Sequence, residues 1–235
     1  MPIYALTEAL AFPPVEMADP DGLLAVGGDL SVERLLLAYR SGIFPWYGAG
    51  LPILWHSPDP RFVLFPDELK VSKSMARVVK SGRFSICYDT AFARVIECCR
   101  SAPRPGERGT WITAEMVEAY CRLHEAGYAH SVEAWADGQL AGGLYGVSLG
   151  GCFFGESMYA KASNASKTAL IDLAGELKSR GFALIDCQVY TRHLASLGAK
   201  HIARSEFLRV LGRALRQETR RGSWNRRNPS TSTEE

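Results

Sequence analysis

The segment from His130 to Tyr159 restricts the fold more than any other part of the chain. His130 to Ala136 alternates as a strand does, and Asp137-Gly138 follows. That dipeptide suits a type I′ hairpin turn, because both central residues need positive φ. Gln139 to Val147 returns, and Gly150-Gly151 marks a further turn. Cys152-Phe153-Phe154 is then an unbroken apolar run, as in a strand buried on both faces. Three successive strands joined by tight turns make an antiparallel meander. The third is expected to end at Glu156, flanked by Gly155 and Ser157. A carboxylate there must be solvated, paired or protonated. Glu156 is therefore either an exposed strand-end residue or part of a site.

The next segments bear on that choice. After a polar loop from Ala160 to Asn164, a helix is expected from about Ala165 to Arg180, with Ala169, Leu170, Leu173 and Leu177 inward and Gly181 closing it. Phe182-Ala183-Leu184-Ile185 reads as a buried strand that ends in Asp186-Cys187-Gln188. A strand–helix–strand unit makes its strands parallel through a right-handed crossover. Glu156 and Asp186 would then share the carboxyl edge at which such sheets hold ligands.

The flanking regions complete an α+β (mixed α/β) reading. Ser31 is a plausible cap for a helix carrying Leu35, Leu36 and Tyr39. Ser57-Pro58-Asp59-Pro60-Arg61 suits a rigid loop. A boundary near residues 62–72 divides a small N-terminal domain, 1–65, from a larger one, 66–221. Within the larger, Thr90 caps a helix with Phe92, Val95, Ile96 and Cys99 inward, and Thr113 caps one with Met116, Val117, Tyr120 and Leu123 inward. A last helix runs from Ser205 to about Gln217, and the segment 222–235 reads as disordered by composition.

Hydrophobic residues make up 47% of the 235, ordinary for a soluble protein. No apolar run approaches the roughly 18 residues of a membrane helix, and no secretory signal is visible. The six cysteines form no framework and read as reduced thiols. The net charge of +2 hides an asymmetry. Acidic residues without Lys or Arg fill the chain up to Glu33, whereas eight arginines crowd the stretch from His201 to Arg227. An anionic partner is expected near the C-terminal end.

The element order fits a GNAT-type acyltransferase, but no glycine-rich turn for coenzyme A pyrophosphate follows Glu156. The sequence closely resembles the leucyl/phenylalanyl-tRNA–protein transferases from about Phe12 to Leu208. Eight motifs in order carry this, among them Gly27-Gly28-Asp29-Leu30, Gly42-Ile43-Phe44-Pro45-Trp46, Trp55-His56-Ser57-Pro58-Asp59-Pro60-Arg61, Thr110-Trp111-Ile112, Phe154-Gly155-Glu156-Ser157-Met158 and Ile185-Asp186-Cys187-Gln188. The resemblance implies a GNAT-like C-terminal domain behind a small N-terminal one. It implies transfer of Leu or Phe, less often Met, from aminoacyl-tRNA to the N-terminal amine of proteins that begin with Arg or Lys, which marks them for N-degron (N-end rule) degradation. It also implies a relay in which Asp186 and Gln188 serve the attacking amine. A Fem-type ligase would be a longer chain, and a non-catalytic RNA-binding protein would leave Glu156, Asp186 and Gln188 together unexplained.

An amide is a very weak base, so Gln188 is read as an orienting acceptor, Asp186 as the residue that fixes the amide, and Glu156 as the holder of a cationic amine or basic side chain. Phe153, Met158, Tyr120, Leu144 and Ile185 are candidates for an apolar donor pocket. Trp111, then Trp46, could stack on the terminal adenosine. Arg209, Arg213, Arg216 and Arg220 recur at helical spacing, and with Lys200 and Arg204 they could meet tRNA phosphates. The ester donor is already activated, so no ATP loop is needed. No cofactor and no metal are expected, and a cytoplasmic monomer is.

Overall fold

Two sheets share the strands of the computed structural model, which describes residues 3–102 and 110–225. The first comprises β1 (Tyr4–Leu6), β2 (Leu23–Gly27), β3 (Phe44–Pro45) and β4 (Leu54–His56), in the order β1-β2-β4-β3. Helix α1 (Val32–Arg40) links β2 to β3. Ser31 caps it by accepting from the Arg34 amide, and Leu35 and Tyr39 are buried.

The changeover to the second sheet falls between His56 and Arg61. Its strands are β5 (Arg61–Leu64), β6 (Ser85–Tyr88), β7 (Ala129–Ala136), β8 (Gln139–Leu149), β9 (Cys152–Ala160), β10 (Leu184–Gln188) and β11 (Lys200–Ile202), in the order β11-β5-β10-β9-β8-β7-β6. Helices α2 (Lys73–Lys80), α3 (Phe92–Ser101), α4 (Ala114–Glu125), α5 (Ala165–Ser179), α6 (Arg192–Ser196) and α7 (Arg204–Ala214) complete the chain. The fold is mixed α/β, as anticipated. One apolar cluster joins α3, α4 and α1 to one face of the sheet, and another joins α5 to the opposite face. Thr113 caps α4, but Thr90 does not cap α3; its hydroxyl donates instead to buried Glu133 at 2.8 Å.

The meander forms as expected. Asp137 and Gly138 take φ of 50° and 69°, as a type I′ turn demands. β9 and β10 are parallel, with Ile185 opposite Phe153 and Asp186 opposite Phe154. α5 makes the crossover and buries Ala169, Leu170, Leu173 and Leu177.

Two irregularities shape the middle of this sheet. β8 sets Tyr145 opposite Ser157 and Gly146 opposite Gly155, which leaves Glu156 as the extra residue of a bulge. β10 sets Asp186 opposite Val63 and Gln188 opposite Phe62, so Cys187 is extra there. Gln188 adopts φ of 63°. Glu156 was expected to end its strand; β9 instead continues to Ala160, because the long β8 keeps pairing with it. Its pairing with β10 stops at Phe154, and beyond that point the two strands part.

The C-terminal segment corrects two expectations. α7 ends at Ala214, short of Gln217. The Ala214 carbonyl accepts from the Gly151 amide, and Gly150 donates to Thr219 Oγ1, both at 2.9 Å. These bonds draw the chain off the helix onto the β8–β9 turn. Arg216 and Arg220 therefore do not extend the helical face of Arg209 and Arg213. Nor is the chain unstructured from Gly222: Trp224 is buried, stacks on His130 at 3.9 Å and donates its backbone amide to Asp89 at 2.6 Å. One large aromatic buries enough area to offset the ordering of its neighbours. The rest of that segment, 226–235, lies outside the described residues. Trp224→Ala should cost about 3 kcal/mol in urea unfolding; an unchanged midpoint would show that the indole anchors nothing.

Candidate active site

The bulge in β9 brings the Glu156 carboxyl against helices from both parts of the chain. Tyr39 of α1 donates to Oε1 at 2.8 Å, and Tyr120 of α4 donates to Oε2 at 2.7 Å. Gln188 Nε2 donates to Oε1 at 2.7 Å. The two tyrosine hydroxyls also hydrogen-bond each other. Burial pushes Glu156 up to about 7; the three donors oppose that rise, and the charge of Asp186 adds to it. Burial likewise pushes both phenols well above their usual range, and the Glu156 charge reinforces this.

Asp186 has a different setting from the one expected. Its oxygens accept from Arg61 Nε at 2.8 Å and Nη2 at 2.6 Å, a two-pronged pair in which both residues are fully buried. Arg61 lies between the rings of Phe44 and Phe207, 4.7 and 4.6 Å from their centroids, and donates to the Gly42 carbonyl. Asp186 Oδ1 also accepts from the backbone amide of Gln188 at 3.0 Å. Asp186 thus holds the left-handed backbone of Gln188, whereas Glu156 holds its side-chain amide. One amide N–H goes to Glu156, and Gln188 also lines the adjoining cavity.

That cavity has a volume of about 440 Å³. Leu144, Phe153, Met158 and Ile185 line it, joined by Leu170 of α5. Tyr120, expected among the walls, lies beneath the Glu156 carboxyl instead. Trp111 and Trp46 border the same cavity, and Trp46 is 40% exposed with its ring edge against His56. The expected basic residues separate into two groups. Lys200 pairs with Glu68, Arg204 donates to the Ser57 carbonyl, and Arg209 pairs with Glu206. Arg213, Arg216 and Arg220 are exposed. The sequence reading missed Tyr39 as a site residue, since an inward tyrosine on a helix reads as core. It also missed Arg61, although a lone arginine between a proline loop and Phe62-Val63-Leu64 signals a buried counter-ion.

An apolar recess that ends at a fixed amide and carboxyl is the layout an acyl-transfer site needs, with a place for the acyl group and polar atoms at the reacting carbonyl. A family model for the leucyl/phenylalanyl-tRNA protein transferases matches residues 63–212, and one for the N-terminal domain of the same enzymes matches residues 28–59. A leucyl/phenylalanyl-tRNA–protein transferase of Myxococcus xanthus (strain DK1622) is 60% identical over 95% of this chain and 97% of its own. One from Syntrophus aciditrophicus (strain SB) is 59% identical over 96% and 94%. The chain belongs to the leucyl/phenylalanyl-tRNA–protein transferase family and is an aminoacyltransferase. Among solved structures, a ribosomal-protein-alanine N-acetyltransferase from Brucella melitensis biovar Abortus 2308 is similar at a TM-score of 0.35 and 15% identity, over 48% of this chain and 84% of that one. Among the described residues no helix is long and apolar enough to cross a membrane.

Two expected outcomes follow from this geometry. Asp186→Ala would leave Arg61 buried without its partner, at a cost of about 3–5 kcal/mol. Its loss of activity should therefore come with a lower urea midpoint, and an unchanged midpoint would contradict the pairing. The folded value of Glu156, about 7, lies above its ordinary 4.5. The folded state keeps this proton where the unfolded chain has lost it. The resulting stability is fully present below 4.5 and is lost as pH rises to about 7, roughly 3 kcal/mol in all. Glu156→Gln should flatten that slope in urea titrations across the same interval.

Proposed function

We propose that the protein moves a leucyl or phenylalanyl group, less often methionyl, from the 3′ end of its tRNA to the N-terminal amine of proteins that begin with Arg or Lys, giving them a destabilising N-terminus. The observation that carries this reading is the apolar cavity that ends at the Gln188–Glu156 pair. Leu144, Phe153, Met158 and Ile185 would receive the donor side chain. An apolar pocket disfavours charged side chains but separates Leu from Met poorly. Trp111 and Trp46 would flank the terminal adenosine at the cavity border. Arg213, Arg216 and Arg220, exposed to solvent, are the better candidates of the basic set for tRNA phosphates.

In the reaction the amine nitrogen bonds to the ester carbonyl carbon, the carbon–oxygen bond to the ribose breaks, and the amine proton ends on the departing 3′ oxygen. An α-amine has an ordinary pKa of about 7.7–8.0, so a neutral fraction is present near neutrality. The Gln188 amide oxygen would accept one amine hydrogen and aim the lone pair at the carbonyl. Positioning of this kind supplies several kcal/mol.

The test mixes radiolabelled Leu-tRNA with a protein that begins with Arg, with the same protein beginning with Ala as the control. Label should enter only the first, and no transfer to it would sink the reading. Gln188→Ala should lower turnover by about 10²-fold or more with little change in KM for Leu-tRNA. Near-normal turnover would remove Gln188 from the reaction.

A further inference from the structure

We propose that Tyr39 and Tyr120 are positioning residues for acyl transfer, which with Glu156 close a three-proton ring that keeps this carboxyl uncharged beside the attacking amine. The proposal rests on the amine-acylation reading above.

The hydrogens available to this group are too few when its acid is ionised. Three oxygen–oxygen contacts link the group: Tyr39 to Oε1, Tyr120 to Oε2, and Tyr39 to Tyr120. Each phenol carries one hydrogen and an ionised carboxylate carries none. With Glu156 ionised, two hydrogens serve three contacts, and one contact sets lone pair against lone pair among buried side chains. A proton on Oε2 removes the conflict. Oε2–H then donates to Tyr120, Tyr120 to Tyr39, and Tyr39 to Oε1, which still accepts from Gln188 Nε2 at 2.7 Å. Every contact then holds one hydrogen.

The surrounding charges agree. Asp186 on β10 is the acid whose charge acts on Glu156, and its partner is Arg61 of β5. Tyr145 of β8 sets its ring edge-on to Tyr120 at 5.6 Å. α1 and α4 present Tyr39 and Tyr120. Among the described residues no Lys, Arg or His forms an ion pair with Glu156. Burial, which raises Glu156, acts in the same direction.

A neutral acid has a consequence for the nucleophile. An anion at this place would favour the ammonium form of the bound amine, which has no lone pair to attack with. The ring leaves the site floor without net charge, since Arg61 balances Asp186. In this arrangement Glu156 orients the Gln188 amide and does not hold a cation.

Tyr39→Phe and Tyr120→Phe each remove one hydroxyl and with it the unserved contact; relief of that lone-pair conflict outweighs the one donor the carboxylate loses, so its ionised form is favoured. Infrared difference titration follows the protonated-carboxyl band, assigned by its loss in Glu156→Gln. Each variant should lower the proton affinity of Glu156 by about tenfold, one pH unit in the midpoint. The acid limb of kcat should move to higher pH in both. Absence of a protonated Glu156 band in the mildly acidic range would overturn the proposal. So would an unchanged midpoint in both variants, or a kcat lowered equally at every pH. The infrared midpoints need no substrate, so failure of the transfer assay and failure of the ring are separate results.

Discussion

The buried pair of Arg61 and Asp186 ties the site to the rest of the molecule. Arg61 starts β5 at the changeover between the sheets. Its guanidinium reaches the ring of Phe44 on the first sheet, the Gly42 carbonyl after α1, the ring of Phe207 on α7, and Asp186 on β10. Two charges taken out of water cost several kcal/mol each, and their attraction offsets this only where geometry is good and other hydrogen bonds are made. Both conditions hold, since the contact is two-pronged and both partners have further bonds. The residue that depends most on the pair is Gln188, whose amide proton ends on Asp186 and whose backbone is left-handed.

Glu156 works on the side-chain amide of the same residue. One carboxylate fixes the main chain of Gln188 and the other its side chain. The first is paired with an arginine and the second sits among phenols. Two similar acids thus meet very different surroundings within one site. The gap between β9 and β10 lets both act on one residue, and bulges in the two strands put Glu156 and Gln188 at that gap.

Much of this was legible in the sequence, in proportion to how local each signal is. The Asp137-Gly138 turn, the caps at Ser31 and Thr113, and the α5 stripe of Ala169, Leu170, Leu173 and Leu177 depend on neighbours within a few residues, and all form. The parallel pairing of β9 with β10 followed from the handedness of crossovers, and it placed Glu156, Asp186 and Gln188 together. What the sequence could not show were the partners. Asp186 meets Arg61 across 125 positions and Glu156 meets Tyr39 across 117. No periodicity reports such a contact. The bulge at Glu156 was hidden because an apolar run that stops reads as a strand that stops. The end of α7 was missed because arginine spacing is blind to the Ala214 carbonyl, which another segment claims.

The place of Arg61 in the chain bears on how the protein comes off the ribosome. The first sheet and its helix emerge early, with the guanidinium at their edge, while Asp186 is still to be made. Until it arrives, packing Phe44 onto that guanidinium would strand a bare charge. Completion of one sheet and closure of the other are thereby coupled through a single ion pair, whose cation is made early and whose anion is made late.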